Sequence, residues 1–303
     1  MAGPESQFLT DLYQTWAKHL ADNPAMDLPT MPGLFEEWHL ATTEPEGVSY
    51  AEADADGIPA TWCLPEGAAA DHVIPYTHGG GFAVGSRHSH RKLVGHLAKA
   101  TGVRALVIDY RTAPGHPFPA QLDDSVTAYR WLRAQGFDAR HIATAGDSAG
   151  GNLSIAVPLK LAADGDALPG AVVAYSPFLD LECTVESLDT NAVLDLIVSR
   201  PILQVMSAML LGESQSPRNP LANPLHADLS VLPPVYITTG GAEGLVDDSR
   251  RFAERATAAG VDVQLDIVPE MQHVFPFLVG RAPEGDAAVS ATATWLRPKL
   301  GLA

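Results

Sequence analysis

The sequence predicts an α/β fold in which helices cover both faces of a mostly parallel sheet. Short, nearly continuous apolar runs alternate with helical patterns from about residue 73 to the carboxyl end, which is typical of buried parallel strands. One of these units joins its strand to its helix through a Gly-rich turn, GDSAGG at 146–151. Two further strand-like runs precede the alternation and flank Asp56-Gly57, a dipeptide that favours a hairpin.

The elements follow from the spacing of apolar residues along the chain. Residues 7–22 form a helical pattern, and a loop is predicted after it to about Glu36. Strands are predicted at 48–53, 58–63, 73–78, 104–110, 141–147, 171–177, 234–240 and 263–268. The helices that alternate with the later strands are predicted at 88–101, 121–135, 149–163, 248–259 and 284–299.

Residues 178–232 break this alternation. Two helices are predicted there, at 187–195 and 200–212, and the second begins beside Pro201, a residue favoured in a first helical turn. A helical excursion between two sheet strands usually lies over the carboxyl edge of the sheet, where ligands bind. We therefore expect residues 200–212 to lie over a binding site.

Composition excludes several classes of function. The 303 residues carry a net charge of −17, so nucleic acid and anionic membrane surfaces are poor partners. The two cysteines, Cys63 and Cys183, are expected to be reduced thiols. The amino-terminal residues lack the pattern of a signal peptide, and no apolar run approaches the roughly 20 residues of a membrane span. We predict a cytoplasmic protein without a membrane span.

The GDSAGG segment fits the G-x-S-x-G pattern of a nucleophile. Side chains two residues on either side of the serine would collide in such a sharp turn, which explains Gly146 and Gly150. Ser148 would then project from the sheet edge at the N-terminus of the next helix, whose positive dipole end favours a developing negative charge. The alternative is a Gly-rich turn with an incidental serine.

Three consecutive glycines in HGGGF, at 78–82, follow an earlier strand. Their backbone N–H groups are free to point at a ligand oxygen and, with the N–H of Ala149, would form an oxyanion hole. A flexible loop is the alternative. We expect His78 to hold this loop by hydrogen bonds rather than to act as a general base.

Eleven histidines are available as a base for Ser148. His88, His90 and His96 lie close together, but no Cys or acid pattern accompanies them, so we expect a solvated helix start and no metal site there. His273 follows the last predicted strand in a loop ringed by apolar residues. The chain order of nucleophile, acid and then histidine selects His273 as the base.

Together these motifs resemble the hormone-sensitive lipase-like esterases, bacterial family IV, of the α/β-hydrolase fold. HGGGF, GDSAGG and DYRTAPGHPFPAQLDD, at 109–124, are similar to the family's signatures and occur in order. The resemblance implies a mostly parallel eight-stranded sheet, a helical cap, and an oxyanion hole formed by the N–H groups of Gly80, Gly81 and Ala149. It also implies the following division of the chain: cap segment 1–45, core 46–177, cap insertion 178–225 and core 226–303.

The acid of the triad has two candidates. Where the family has D-P-L-x-D-E, this chain has EGLVDD at 243–248. Glu243 is the predicted acid, since a glutamate can also accept the hydrogen bond from the far nitrogen of the histidine. Asp247 is the alternative. Asp248 is interpreted as a helix cap, and Asp147, beside the nucleophile, as structural.

The predicted function is that of a serine carboxylesterase. It would hydrolyse short- to medium-chain carboxylic esters through an acyl-enzyme on Ser148, without a metal or a cofactor. Phe82, beside the glycines, is a candidate for substrate binding. Apolar residues of the second inserted helix are candidates for an acyl pocket, unless this helix only packs on its neighbours: Leu203, Met206, Met209, Leu210 and Leu211.

Two other functions stay open. The chain also resembles lactone-hydrolysing members of the family, such as the monoterpene ε-lactone hydrolases, because lactone opening uses the same machinery. A non-catalytic binding protein is the alternative from another class, as in the plant gibberellin receptor, which lacks the histidine. The presence of both Ser148 and His273 argues against a binder. The expected partner is a small-molecule ester or lactone, and a homodimer is allowed.

Overall fold

Eight strands form one sheet in the computed structural model, which describes residues 3–22 and 32–303. Their bounds are β1 (Val48–Asp54), β2 (Pro59–Pro65), β3 (Ala69–Thr77), β4 (Val103–Ile108), β5 (Ala143–Asp147), β6 (Ala171–Tyr175), β7 (Val235–Gly240) and β8 (Val263–Val268). They are ordered β1-β2-β4-β3-β5-β6-β7-β8. Strand β2 is antiparallel to β1 and β4, and strands β3 to β8 are parallel. The predicted eight-stranded, mostly parallel sheet is confirmed.

Most α-helices of the described residues fall close to the predicted positions. Their bounds are α1 (Gln7–Asp22), α2 (Pro32–Phe35), α3 (Arg87–Thr101), α4 (Ala120–Ala134), α5 (Ala149–Asp164), α6 (Ser187–Thr190), α7 (Arg200–Leu211), α8 (Val246–Ala258) and α9 (Pro283–Lys299). None of these helices is both long enough and apolar enough to cross a membrane.

Two local predictions were wrong. The helix predicted at 187–195 ends at Thr190, because the chain then turns around the Asp195 carboxylate, which accepts the N–H groups of Ile197 and Val198. The loop predicted up to Glu36 is helical in its described part, in α2, and a 3₁₀ helix follows at Glu36–Leu40. Residues 23–31 of that prediction lie outside the described residues.

Alternating strand residues build two apolar layers. Val73 and Ile74 are consecutive in β3, yet Val73 packs with residues of α4 and α5, and Ile74 packs with residues of α3 and α9. This is the period of two expected when both faces of a strand are buried. The helices therefore cover the sheet on both sides, as predicted.

The loops that carry the predicted site residues meet at one edge of the sheet. The HGGGF segment at 78–82, called the glycine loop below, follows β3. Ser148 follows β5, the acid candidates follow β7, and His273 follows β8. Because these strands are parallel, their carboxyl ends lie on the same side, where open α/β sheets bind ligands. Residues from α7 and from the segment 35–38 line a pocket at this edge together with Ser148.

Candidate active site

Ser148 occupies the sharp turn between β5 and α5. Its backbone has φ 52° and ψ −118°, values that a non-glycine residue rarely adopts. Its N–H donates to the Tyr175 carbonyl oxygen over 2.8 Å. A Cβ atom on Gly146 would lie 2.2 Å from the Gly150 carbonyl oxygen, and one on Gly150 would lie 1.9 Å from the Thr77 carbonyl oxygen. The turn therefore needs glycine on both sides of Ser148.

His273 lies within hydrogen-bonding distance of Ser148. Its Nε2 is 2.9 Å from Ser148 Oγ, and its Nδ1 is 3.3 Å from Glu243 Oε1. The imidazole and the carboxylate are both buried. A hydroxyl, an imidazole and a carboxylate in this order can pass the serine proton to the ring and stabilise the imidazolium. The structure brings together the three residues predicted as nucleophile, base and acid.

Burial and three acidic residues have opposite effects on the pKa of this imidazole. Burial, the largest single influence, would lower the pKa of His273, but the hydrogen bond and the charge of Glu243, together with two other acids, outweigh it. The charges of Asp195 and Asp147 act in the same direction. The pKa of His273 is therefore above its usual value, which strengthens the ring as a proton acceptor.

Two donors fix the Glu243 carboxylate through its other oxygen. Ser176 Oγ donates to Glu243 Oε2 over 2.6 Å, and the Gly240 N–H donates to the same atom over 2.8 Å. Ser176 Oγ also accepts the Val274 N–H over 3.1 Å, so it links the acid to the loop that carries His273. Sequence reasoning missed Ser176, because these partners are 67 and 98 residues away along the chain.

Asp247 and Asp248 point away from His273. Asp247 accepts the Ser187 N–H over 2.9 Å and pairs with Arg250 on the surface of α8. Asp248 does not cap its own helix, which corrects the sequence interpretation. Helix α8 already begins at Val246, and no side chain caps it.

Asp248 is a buried carboxyl that should make folding stability depend on pH. Its Oδ2 accepts the N–H groups of Leu179 and Asp180, and its Oδ1 has no partner among the described residues. Burial raises its pKa from 3.8 to about 7. Between these values the folded chain holds a proton that the unfolded chain has released, so stability falls as pH rises through this window.

We expect Asp248→Asn to remove this pH dependence. The amide keeps an oxygen for the two backbone donors and cannot ionise, so the variant should exceed the wild type in stability at pH 8 and lose the advantage near pH 4. Urea unfolding of both proteins across this range measures the difference. Parallel stability curves for the two proteins would contradict this account of Asp248.

The glycine loop presents free backbone amides to the same pocket. Gly80, Gly81 and Ser148 line it together. In the part of the chain that the structure describes, no acceptor is bonded to the N–H of Gly80 or Gly81. Ala149 is the first residue of α5, so its N–H has no acceptor within the helix. These amides are available to an oxygen atom bound at Ser148.

Buried polar residues hold the glycine loop. Asp147 Oδ1 accepts the Gly79 N–H over 3.1 Å and the Tyr76 hydroxyl over 2.9 Å, and His90 Nε2 lies 3.3 Å from its Oδ2. Burial would raise the pKa of Asp147, but His90 and Tyr76 together bring it below the usual value. His78 Nδ1 donates to the Gly79 carbonyl oxygen over 2.8 Å. Asp147 and His78 are thus placed to act structurally, whereas the solvated environment predicted for His90 was wrong.

The pocket is small and mostly apolar. Its volume is about 60 Å³, which corresponds to roughly four to six water-sized groups. Side chains from three parts of the chain line it around Ser148 and His273: Phe35, Trp38, Val84, Phe178, Ile197, Val198, Ile202, Leu203 and Met206. A site of this kind is suited to an uncharged, short substrate group.

Four predicted substrate contacts are absent from this lining: Phe82, Met209, Leu210 and Leu211. Phe82 is buried in the core beside Phe178, at a centroid distance of 6.2 Å. Its φ of 65° belongs to the turn of the glycine loop and takes the ring into the core. Met209 lies one turn after Met206 on α7 and packs on the apolar core instead. The two other candidates from α7, Leu203 and Met206, do line the pocket.

The predicted cap insertion holds the acid loop, residues 241–245. The Asp195 carboxylate accepts the Gly244 N–H over 2.7 Å, and Asn191 Nδ2 donates to the Glu243 carbonyl oxygen over 2.9 Å. Asp195 is itself buried. Sequence reasoning identified neither contact, because both depend on how an irregular segment folds back onto a distant loop.

The amino-terminal segment also contacts the site. The Tyr13 hydroxyl donates to the His273 carbonyl oxygen over 2.9 Å, and Trp38 Nε1 donates to Tyr13 Oη over 3.1 Å. The Trp38 ring stacks on Phe277, with centroids 5.6 Å apart and planes at 5°. Tyr13 and Trp38 therefore support the loop of His273, although the cap boundaries at 45, 178 and 225 stay predictions.

Comparison with known protein sequences identifies similar enzymes. A family model described as alpha/beta hydrolase fold matches residues 74–277. An acetyl-hydrolase of Streptomyces hygroscopicus is 36% identical over 282 residues, which cover 87% of this chain and 93% of that protein. An esterase of Acinetobacter venetianus is 36% identical over 226 residues, which cover 75% of each chain.

Solved structures agree with this similarity over almost the whole chain. An esterase from the bacterial hormone-sensitive lipase family superposes with a TM-score of 0.93 at 38% identity, covering 99% of both chains. The esterase EstE5, whose crystals were soaked with p-nitrophenyl butyrate, superposes with a TM-score of 0.90 at 34% identity, covering 99% of this chain and 100% of that one.

Proposed function

The chain belongs to the hormone-sensitive lipase-like esterases of the α/β-hydrolase fold, and from this premise we propose that it cleaves short-chain esters through an acyl-enzyme on Ser148. It is a carboxylic ester hydrolase. The observation that supports the proposed mechanism best is the 2.9 Å between Ser148 Oγ and His273 Nε2. This is the distance at which a base takes a proton from a nucleophile.

In the proposed first step, Ser148 Oγ attacks the ester carbonyl carbon while His273 Nε2 takes its proton. Glu243 accepts the hydrogen bond from Nδ1 and stabilises the imidazolium. The carbonyl oxygen becomes negative and binds the N–H groups of Gly80, Gly81 and Ala149. Each such donor typically contributes about 3 kcal/mol of transition-state stabilisation.

After the attack, His273 acts first as an acid toward the leaving alcohol and then as a base toward water. His273 returns its proton to the leaving alcohol, and the acyl group remains on Ser148 Oγ. Water then gives a proton to His273 and attacks the acyl carbon. His273 returns that proton to Ser148 Oγ as the bond between Oγ and the acyl carbon breaks, which releases the carboxylic acid and restores the serine hydroxyl. The chain supplies the nucleophile, the base and the electrostatic stabilisation of both halves.

The size of the pocket supports a short acyl group. Space for roughly four to six water-sized groups corresponds to a chain of about four heavy atoms beyond the reacting carbonyl. We infer that Met206 sets this limit, since it lines the pocket and a Cβ atom on Gly81 would lie only 2.6 Å from Met206 Sδ. Met206 therefore lies directly against the glycine loop, next to the proposed acyl position.

A chain-length series of p-nitrophenyl esters tests this proposal. We expect kcat/KM to be highest for acyl groups of up to about five carbons and to fall for longer ones, because longer chains exceed the pocket. A panel of lactones in the same assay tests the alternative substrate class. Turnover of neither class would contradict the proposed hydrolase mechanism and favour the non-catalytic binder.

Met206→Ala should shift the preference toward longer chains. Loss of the side chain opens space beside Gly81, so we expect kcat/KM for octanoate relative to butyrate to rise by roughly tenfold, the effect of one or two methylenes in a pocket. Met209→Ala is the matched control on the same helix and should leave the ratio unchanged. Equal ratios in both variants would show that Met206 does not limit acyl length.

The proposed cytoplasmic location is consistent with Cys63 and Cys183, which are unpaired and buried. The location and a homodimer both stay predictions.

A further inference from the structure

A cluster of two histidines and an aspartate lies at the edge of the sheet opposite the proposed active site. Asp71 and His72 are in the first half of β3, and His141 ends the 3₁₀ helix before β5. Their nitrogen and carboxylate oxygen atoms lie within 4.8 Å of one another. His72 Nδ1 is 2.8 Å from Asp71 Oδ1, and His141 Nδ1 is 3.6 Å from Asp71 Oδ2.

The hydrogen bond of His72 to Leu300 determines which of the two ring nitrogens carries the proton. His72 Nε2 lies 3.0 Å from the Leu300 carbonyl oxygen. A carbonyl oxygen only accepts, so Nε2 carries the proton and, in the neutral ring, Nδ1 presents its lone pair toward the Asp71 carboxylate. A lone pair and a carboxylate 2.8 Å apart repel each other unless a cation or a second proton lies between them.

We propose that Asp71, His72 and His141 bind a divalent transition-metal ion such as Zn²⁺ or Ni²⁺. Two imidazole nitrogens and a carboxylate suit these ions, whereas Mg²⁺ and Ca²⁺ prefer sets of oxygen ligands. Metal-binding histidines usually donate the other ring nitrogen to a carbonyl or a carboxylate, as His72 does to Leu300. Water would complete the coordination on the solvent side.

The surroundings allow the cluster to close on an ion. His72 is buried and fixed, whereas the side chains of Asp71 and His141 are 70% and 31% exposed. The rings of His72 and His141 are nearly parallel, with centroids 4.0 Å apart. Because the lone pairs of stacked rings do not converge, metal–ligand distances of about 2.0–2.2 Å require the His141 ring to rotate out of this stack, together with the exposed Asp71 side chain. The buried histidine would therefore act as the fixed anchor.

A bound ion would act on stability rather than on the proposed reaction. His72 precedes His78 by six positions along β3, so the cluster lies roughly 20 Å from the glycine loop at about 3.3 Å per residue. The ion would join β3, the segment before β5 and, through Leu300, the end of the carboxyl-terminal helix α9. Binding to the folded state alone raises the unfolding temperature.

Calorimetric titration of the untagged, chelator-treated protein with Ni²⁺ tests the proposal. We expect one ion per chain, and an affinity lower by roughly tenfold or more in His141→Gln and in Asp71→Asn, since even indirect partners of metal ligands are worth 10–100-fold. His88→Gln, which changes an exposed histidine outside the cluster, should bind like the wild type. The same affinity in all four proteins would overturn the proposal.

Thermal unfolding gives a second, independent readout. At a hundredfold excess over Kd, Zn²⁺ or Ni²⁺ should raise the Tm of the wild type by roughly 3–5 °C, and Mg²⁺ should have no effect. The shift should disappear in His141→Gln and persist in His88→Gln. A shift that persists in His141→Gln would place the ion elsewhere and contradict the proposed site.

Discussion

Ser148→Ala is expected to lower kcat for ester hydrolysis by about 10⁴-fold or more. The hydroxyl is the only side-chain group in the proposed mechanism that bonds to the acyl carbon, and without it no acyl-enzyme forms for water to hydrolyse. Substrate binding should change little, because the apolar walls of the pocket remain. Initial rates with p-nitrophenyl butyrate measure kcat and KM, and Tm values show whether the variant is folded.

A second change, at His273, tests whether the two side chains act together. His273→Ala alone should cost about as much as Ser148→Ala, because the two side chains act as a unit. The double variant should be little slower than either single one. If the rate losses of the two single variants multiplied in the double variant, His273 would not act through Ser148. Near-wild-type activity of either single variant would contradict the proposed mechanism.

Glu243→Ala is expected to lower kcat/KM by about 10³–10⁴-fold, whereas Asp247→Asn should stay within roughly threefold of the wild type. Only Glu243 lies beside His273 Nδ1, at 3.3 Å, while Asp247 binds the Ser187 N–H instead. Loss of the carboxylate leaves the ring without the partner that fixes its tautomer and stabilises its charged form. Steady-state kinetics of the two variants measure this contrast directly.

The pH profile separates this role from a purely structural one. Glu243 raises the pKa of His273, so its removal should lower that pKa and move the acidic limb of kcat/KM toward lower pH. A structural defect would lower activity without moving the limb. If Asp247→Asn proved far slower than Glu243→Ala, the assignment of the acid would be wrong.

Local chemistry explains why much of the fold and the site could be predicted from the sequence. The alternating burial of Val73 and Ile74 is a property of one strand, and apolar runs reveal it without knowledge of the fold. The turn at Ser148 requires glycines at fixed offsets, so sequence spacing alone indicates it. His273 could be selected because the order of nucleophile, acid and base follows from the order of the parallel strands.

The remaining features depend on contacts that spacing does not encode. Of the two methionines predicted for the pocket, Met206 lines it and lies against Gly81, whereas Met209 does not line it. Ser176 and Asp195 reach the acid loop from distant and irregular segments. The cluster of Asp71 and His141 likewise forms only when two strands of the sheet meet at their amino ends.

Covalent labelling tests most directly the arrangement on which the proposed mechanism depends. Treatment of the intact protein with an organophosphate, followed by mass spectrometry, should show one adduct per chain, located on the peptide that contains Ser148. Labelling should be absent in Ser148→Ala and strongly slowed in His273→Ala, because the imidazole activates the hydroxyl. An active protein that remains unlabelled at Ser148, or one labelled there equally fast without His273, would contradict the account.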